Sequence, residues 1–240
     1  MKRKKSQVLC CSVLSVLLTV LQLFSTATDP VPPGYDNMGV ILYEVMDESG
    51  NVITDPSHEG LTEVVDILYV RLSNLGYVEA SVKVQDNGQL KVNVPDVDDI
   101  VNLSQTLEKT GLLTFEDYDG NILLDGTMIK DANYRFGPVD ETGVNASHIE
   151  LAFTEEGQKA FTEATEQISA RTGDGTNVIC ICLDGQLYSA PTVMDKIDAP
   201  SCIITGDFNE ESAKELASIL SSGALPYKIV GIQTEIIVEE

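Results

Sequence analysis

Beyond residue 27 the residues able to do chemistry are few: two histidines, three cysteines and the aspartate-rich stretch "DYDGN". His58 lies in "DPSHEG" and His148 precedes "IELAF", and neither sits in a metal-ligand or nucleophile motif. Both read as surface or strand-edge residues. "DYDGN" (117 to 121) has the look of a calcium loop, but its glycine falls at the fourth place instead of the sixth and the closing glutamate is missing. It reads as a turn. No phosphate-cradling glycine loop is present, so the expectation is a protein with no catalytic residues, no metal and no cofactor. Cys180 and Cys182, two apart on a strand, share a face and cannot easily bond each other. Two outcomes fit them: a disulfide from either one to Cys202 on a neighbouring strand, or three buried free thiols, which the odd count favours.

The elements that must hold these residues follow from periodicity. Gly39 to Met46 is an apolar strand, and Leu61, Val64, Val65, Leu68, Leu72 and Leu75 recur at helical spacing until Gly76. Val82 and Val84, the Asn87-Gly88 turn, and Leu90, Val92 and Val94 make a hairpin that Pro95 ends. Ile100, Leu103 and Leu107 line a second helix closing at Gly111, and Leu112 to Phe115 is extended. Strand, helix, strand, strand, helix, strand is the order of a split βαβ, ferredoxin-like unit. A loop-rich stretch, 117–147, separates it from a second set. There Ile149 to Phe153 is a strand, and Thr154 caps a helix with Glu155 and Glu156 in its first turn and Phe161, Ala164 and Ile168 inside. Asp174-Gly175 ends that region, and Asp184-Gly185 joins Val178 to Leu183 with Gln186 to Ala190 as a hairpin. Cys202 to Thr205 is a short strand, Asn209 caps a last helix, Gly223 ends it, and Pro226 forbids its return before the strand Tyr227 to Val238.

The amino end reads as an address. Lys2, Arg3, Lys4 and Lys5 precede the uncharged apolar run Val8 to Phe24, whose length lies between a secretory signal and a spanning helix. Residues 1–27 are thus a signal peptide cleaved after Ala27 or a retained membrane anchor, and 28–37, with Pro30, Pro32, Pro33 and Gly34, is a linker. Either way the remainder is extracytoplasmic. All 38 acidic residues but only 11 of the 15 basic ones lie beyond Ala27, a formal balance of −27. That charge excludes nucleic acid and anionic lipid surfaces as partners.

Seven stretches, in order, carry a family resemblance: "RLSNLGYVEASV" (71 to 82), "VNVPDVDD" (92 to 99), "LLTFEDYDGNILLDG" (112 to 126), "FTEEGQKAF" (153 to 161), "ICLDGQLYSAPTV" (181 to 193), "IITGDFNEESAKELASIL" (203 to 220) and "SGALP" (222 to 226). Together they resemble the first large extracytoplasmic domain of SecD, the bacterial accessory subunit of the Sec protein translocase. The resemblance implies an α+β fold, a ferredoxin-like base carrying an inserted α+β head. On that pattern 38–113 is the first part of the base, 114–222 the head, and 223–240 the strand returning to the base. Two positions depart from the family: Asp36-Asn37-Met38-Gly39 replaces an aspartate and double glycine, and Asp96 stands where a glycine is common.

The resemblance also implies a function: a non-enzymatic accessory in protein export that binds or guides unfolded preproteins or docks on Sec translocon subunits. The family's further membrane helices, which pair with a SecF-like membrane subunit and couple proton flow, have no counterpart after Val238. Contact with a passing chain is expected at the hairpin residues Asp184, Gly185, Tyr188 and Pro191, and hinge motion at Gly111, Phe115, Gly223 and Pro226. For the glycines and prolines, turn formation and helix termination are the alternative roles. Two locations remain open: a single-pass anchor in the bacterial cell membrane, or secretion after cleavage. So does a second function class, an envelope protein-interaction module that keeps the fold for another partner.

Overall fold

Along β1 (Asn37–Met46) the buried Ile41, Tyr43 and Val45 alternate with half-buried residues, and that period of two places them in one core. Leu61, Leu68 and Leu72 of α1 (Glu59–Asn74) and Leu103 and Leu107 of α2 (Ile100–Glu108) complete it. Both helices start on side-chain caps: His58 Nδ1 accepts the Gly60 amide at 3.2 Å, and the Asp99 carboxylate accepts the amides of Val101 and Asn102. With β2 (Ser81–Val84), β3 (Leu90–Pro95) and β11 (Lys228–Val238), the first strand forms an antiparallel sheet of order β11-β1-β3-β2. The structure, a computed structural model, describes residues 31–139, 143–173 and 175–238.

The periodicity reading closed this sheet with Leu112 to Phe115, and the pairing differs. β4 (Leu113–Glu116) pairs with β5 (Ile122–Asp125) and β8 (Cys180–Leu183) in another sheet. β11 takes the place beside β1, in register from Asn37 opposite Val238 to Met46 opposite Lys228. A four-residue apolar strand carries no information about which sheet it joins, so periodicity alone could not decide.

A second core lies beneath two more antiparallel sheets, β10-β7-β6 and β5-β4-β8-β9, and two helices. Its elements are β6 (Ile129–Pro138), β7 (Asn145–Phe153), α3 (Glu155–Ser169), β9 (Gln186–Ser189), β10 (Ser201–Ile204) and α4 (Glu210–Ser222). Phe115, Phe153 and Phe161 meet at its centre, the last two stacked with centroids 4.8 Å apart. Residues 117–147, expected as loop, hold β5, all of β6 and the start of β7. Only Ala132 of β6 is buried, so the strand owes its form to its ladder with β7 and not to its own pattern. His148, expected at the surface or a strand edge, is buried on the central strand β7.

The two departures from the family pattern are one local rebuild. Asp96 holds φ +49, a conformation that favours glycine, and its carboxylate accepts the amides of Asp36 and Asn37. Asn37 Oδ1 in turn accepts the Val97 amide. Gly39 is packed so closely that a Cβ would stand 2.4 Å from Val97 Cγ1. Among the described residues no helix is long and apolar enough to cross a membrane. The expected signal or anchor, 1–27, lies outside them, as does Asp174.

"DYDGN" forms a turn, and "DESGN" (47 to 51) repeats it. In each, the first aspartate accepts the amides two and four residues on and the asparagine side chain. Asp117 is buried and also meets Arg171 at 3.2 Å. The Asn121 side chain and amide, with Arg171 behind them, hold its carboxyl down at about 2. A carboxyl that titrates near 3.9 when unfolded adds stability that is present above that pH and is lost as the pH falls through about 2. Carbon-13 titration is therefore expected to place the Asp117 midpoint near 2, and Asp117→Asn to flatten the acid limb of the stability curve between about pH 4 and 2. An Asp117 midpoint near 4 would contradict this.

Candidate functional site at the junction of the two cores

The chain crosses between the cores twice, once after α2 and once after α4. One side chain touches both crossings. Arg71, on the buried stripe of α1, is wholly removed from solvent. A guanidinium has five N–H donors, and each here has an acceptor. Nε donates to Ser222 Oγ at 3.0 Å, Nη1 to the carbonyls of Leu107 and Lys109, and Nη2 to the carbonyls of Thr110 at 3.1 Å and Gly223 at 3.2 Å. The acceptors come from the C-terminal ends of α2 and α4, where unpaired carbonyls give each helix partial negative charge. Burial pulls the guanidinium down to about 10, against the nearby charge of Asp184, so it stays protonated at neutral pH.

Asp184 works on the other side of the same peptide group. Its carboxylate accepts the amides of Gly111, at 2.9 Å, and Leu112, at 2.8 Å, and its own amide donates to the Leu112 carbonyl. The Thr110–Gly111 peptide unit thus has its carbonyl on Arg71 and its N–H on Asp184. The Thr110 carbonyl also accepts the Leu225 amide at 2.8 Å, which stitches the outgoing crossing to the returning one. Gly111 holds φ +86, and a Cβ on it would come within 2.9 Å of Arg71 Nη2 and 3.0 Å of Ile219 Cγ2.

α4 serves both cores. Leu216, Ile219 and Leu220 face the second, while Ser218 Oγ donates to the Arg71 carbonyl, Asn74 Nδ2 to Ser221 Oγ at 2.7 Å, and Asn102 Nδ2 to Glu215 Oε1. The small residues of "LASILSSGALP" allow that approach to α1.

Of the residues expected to matter, Asp184, Gly111 and Gly223 come together here. Gly185 (φ +75) completes the hairpin turn, Tyr188 is half-buried on the second core, and Pro191 is exposed, its carbonyl accepting the Ile179 amide. Phe115, expected beside a hinge, lies inside the second core on a strand paired at both edges. Pro226 is exposed just past the buried Leu225. Of the two cysteine outcomes the structure holds the free thiols: β8, with Cys180 and Cys182, and β10, with Cys202, belong to different sheets, and Cys182 is buried while the other two are half-buried. Burial pushes the Cys202 thiol up to about 12. Among the described residues no group of His, Cys, Asp or Glu is arranged to hold a metal ion.

Arg71 itself was missed. Its signal is positional, since it falls three residues after Leu68 and four before Leu75, on the apolar stripe of α1.

Two apolar cores joined through a buried, fully hydrogen-bonded arginine define an α+β protein of antiparallel sheets. Comparison gives the family. The chain matches the family described as SecDF, P1 head subdomain, over residues 104–227, and the N-terminal part of the P1 domain of protein translocase subunit SecDF over 61–120. It belongs to that SecD/SecDF family, whose members are non-catalytic translocase subunits. It is 28% identical over 231 residues to the protein translocase subunit SecD of Acidaminococcus fermentans, a match covering 95% of this chain and 52% of that one. For SecD of Dictyoglomus turgidum the figures are 26%, 92% and 53%. The chain thus spans about half the length of the curated relatives it matches. A solved structure of a membrane component SecDF that enhances protein export superposes with a TM-score of 0.62 at 24% identity, over 81% of this chain and 98% of that one, and shares its fold.

Gly111→Ala is expected to cost about 2 kcal/mol in denaturant unfolding, because strain and a close contact act together. Gly223→Ala, at φ +81 and ψ 174 with open space around it, should cost about 1–3 kcal/mol from backbone strain alone. No loss of stability in Gly111→Ala would contradict the close packing there. Alkylation of the unreduced, denatured protein should modify Cys180, Cys182 and Cys202 alike. Protection of any two would show a bond that the fold keeps apart.

Proposed function

We propose that this chain is the extracytoplasmic part of a SecD-like, non-enzymatic accessory to Sec-dependent protein export. Membership of the translocase-subunit family over 104–227 is the observation that carries the reading. The sheet order β11-β1-β3-β2 with α1 and α2 supports a ferredoxin-like base, and the second core corresponds to a head inserted between residues 114 and 222. The run Val8 to Phe24 tethers the domain to the bacterial membrane, or releases it after cleavage near Ala27.

Its partners are unfolded preproteins, Sec translocon subunits and a SecF-like membrane subunit. The head hairpin β8–β9 is the contact surface. β9 is an edge strand, Leu187 is exposed, and Tyr188 and Pro191 follow it, whereas Asp184 and Gly185 shape the turn behind. An exposed strand edge with apolar side chains suits an extended chain, whose backbone can pair with it.

A photo-crosslinking residue at Leu187, tested in cells exporting a tagged preprotein, is expected to give adducts with the translocating chain or a translocon subunit, lost when export is blocked. Adducts with one folded envelope protein only, unchanged by the block, would overturn the export reading and favour the envelope interaction module.

A further inference from the structure

We infer that Arg71 is a positioning residue: its guanidinium pins the second core in one orientation on the first, and without it both cores stay folded while the link between them loosens. Each core has its own cluster of buried apolar residues, and these clusters do not share a member. Side-chain hydrogen bonds join α4 to the first core through Ser218, Ser221 and Glu215. A polar contact can be exchanged for water at small net cost, whereas an apolar one cannot. The buried guanidinium is the exception, because it is the side chain that binds the exit crossing, through Leu107, Lys109 and Thr110, and the return crossing, through Ser222 and Gly223, at once, beside the backbone bond from Leu225 to Thr110. Removing it takes a donor from five acceptors; the Thr110 carbonyl keeps the Leu225 amide and the Gly223 carbonyl the Ser222 hydroxyl, and water must enter between the crossings for the rest.

The planar fork is required as well as the charge. A lysine ammonium carries three donors at one point and cannot span carbonyls from two helix ends. Asp184 depends on Arg71 in turn, since the peptide unit it holds is fixed on its far side by the guanidinium.

The test is Arg71→Met in the full chain, read by amide hydrogen exchange and by residual dipolar couplings. The inference expects protection at Gly111, Leu112 and Leu225 to fall by about tenfold or more, while Ile41 and Val92 in the first core and Ile149 and Leu151 in the second remain protected. It expects one alignment tensor to fit the wild-type chain and two to be needed for the variant. Arg71→Lys, which keeps the buried charge, gives the same reading where Arg71→Met does not accumulate. A single tensor with the crossings still protected would overturn the inference. So would joint loss of protection in both cores in both variants, which would make Arg71 a fold-wide brace. This experiment needs no export partner, so its failure leaves the proposed function standing, and failure of the crosslinking test leaves Arg71 untouched.

Discussion

A cation removed from water must find acceptors for all of its donors, and Arg71 meets that demand with no carboxylate bonded to it. It uses the last carbonyls of two helices, groups that would otherwise need capping of their own. One burial problem thereby solves two others: α2 and α4 end against the same guanidinium, and both chain crossings are held within its reach. Gly111, Asp184 and the residues leading into β11 are tied to that arrangement through the Thr110 peptide unit.

The junction draws its residues from stretches far apart in the sequence. Arg71 opens "RLSNLGYVEASV", Leu112 opens "LLTFEDYDGN", Asp184 sits within "ICLDGQLYSAPTV", and Ser222 and Gly223 open "SGALP". Arg71 bonds Ser222 and Gly223, Asp184 bonds Leu112, and the Thr110–Gly111 peptide unit joins the two sets. Physical demand at one point in space shows itself as four separate motifs along the chain. At both crossings the chain between the two cores is held by the hydrogen bonds of Arg71 and Asp184.

Much of this was legible from residues. The helix caps at Thr154 and Asn209, the turn at Asn87-Gly88 and the hairpin at Asp184-Gly185 follow from local chemistry, and local chemistry settled them. What escaped was partner choice. Leu112 to Phe115 reads as a strand, but nothing in four residues says which sheet receives it; β6 has one buried side chain and no pattern to find. Asp184 was legible as a turn residue and illegible as an acceptor for amides 73 and 72 positions away. Arg71 was hidden by the habit of reading a basic residue in a helix as solvent-facing, although its place on the stripe marked it.

The central claim is that all five guanidinium donors of Arg71 are bonded at once, and nitrogen-15 NMR of the arginine side chains tests it directly. A fully bonded guanidinium cannot rotate freely about its C–N bonds, so Arg71 should give separate, slowly exchanging Nη1 and Nη2 proton signals, distinct from those of exposed Arg135. A single averaged, rapidly exchanging η signal for Arg71 would mean the clasp is open in solution, and the account of the junction would fail with it.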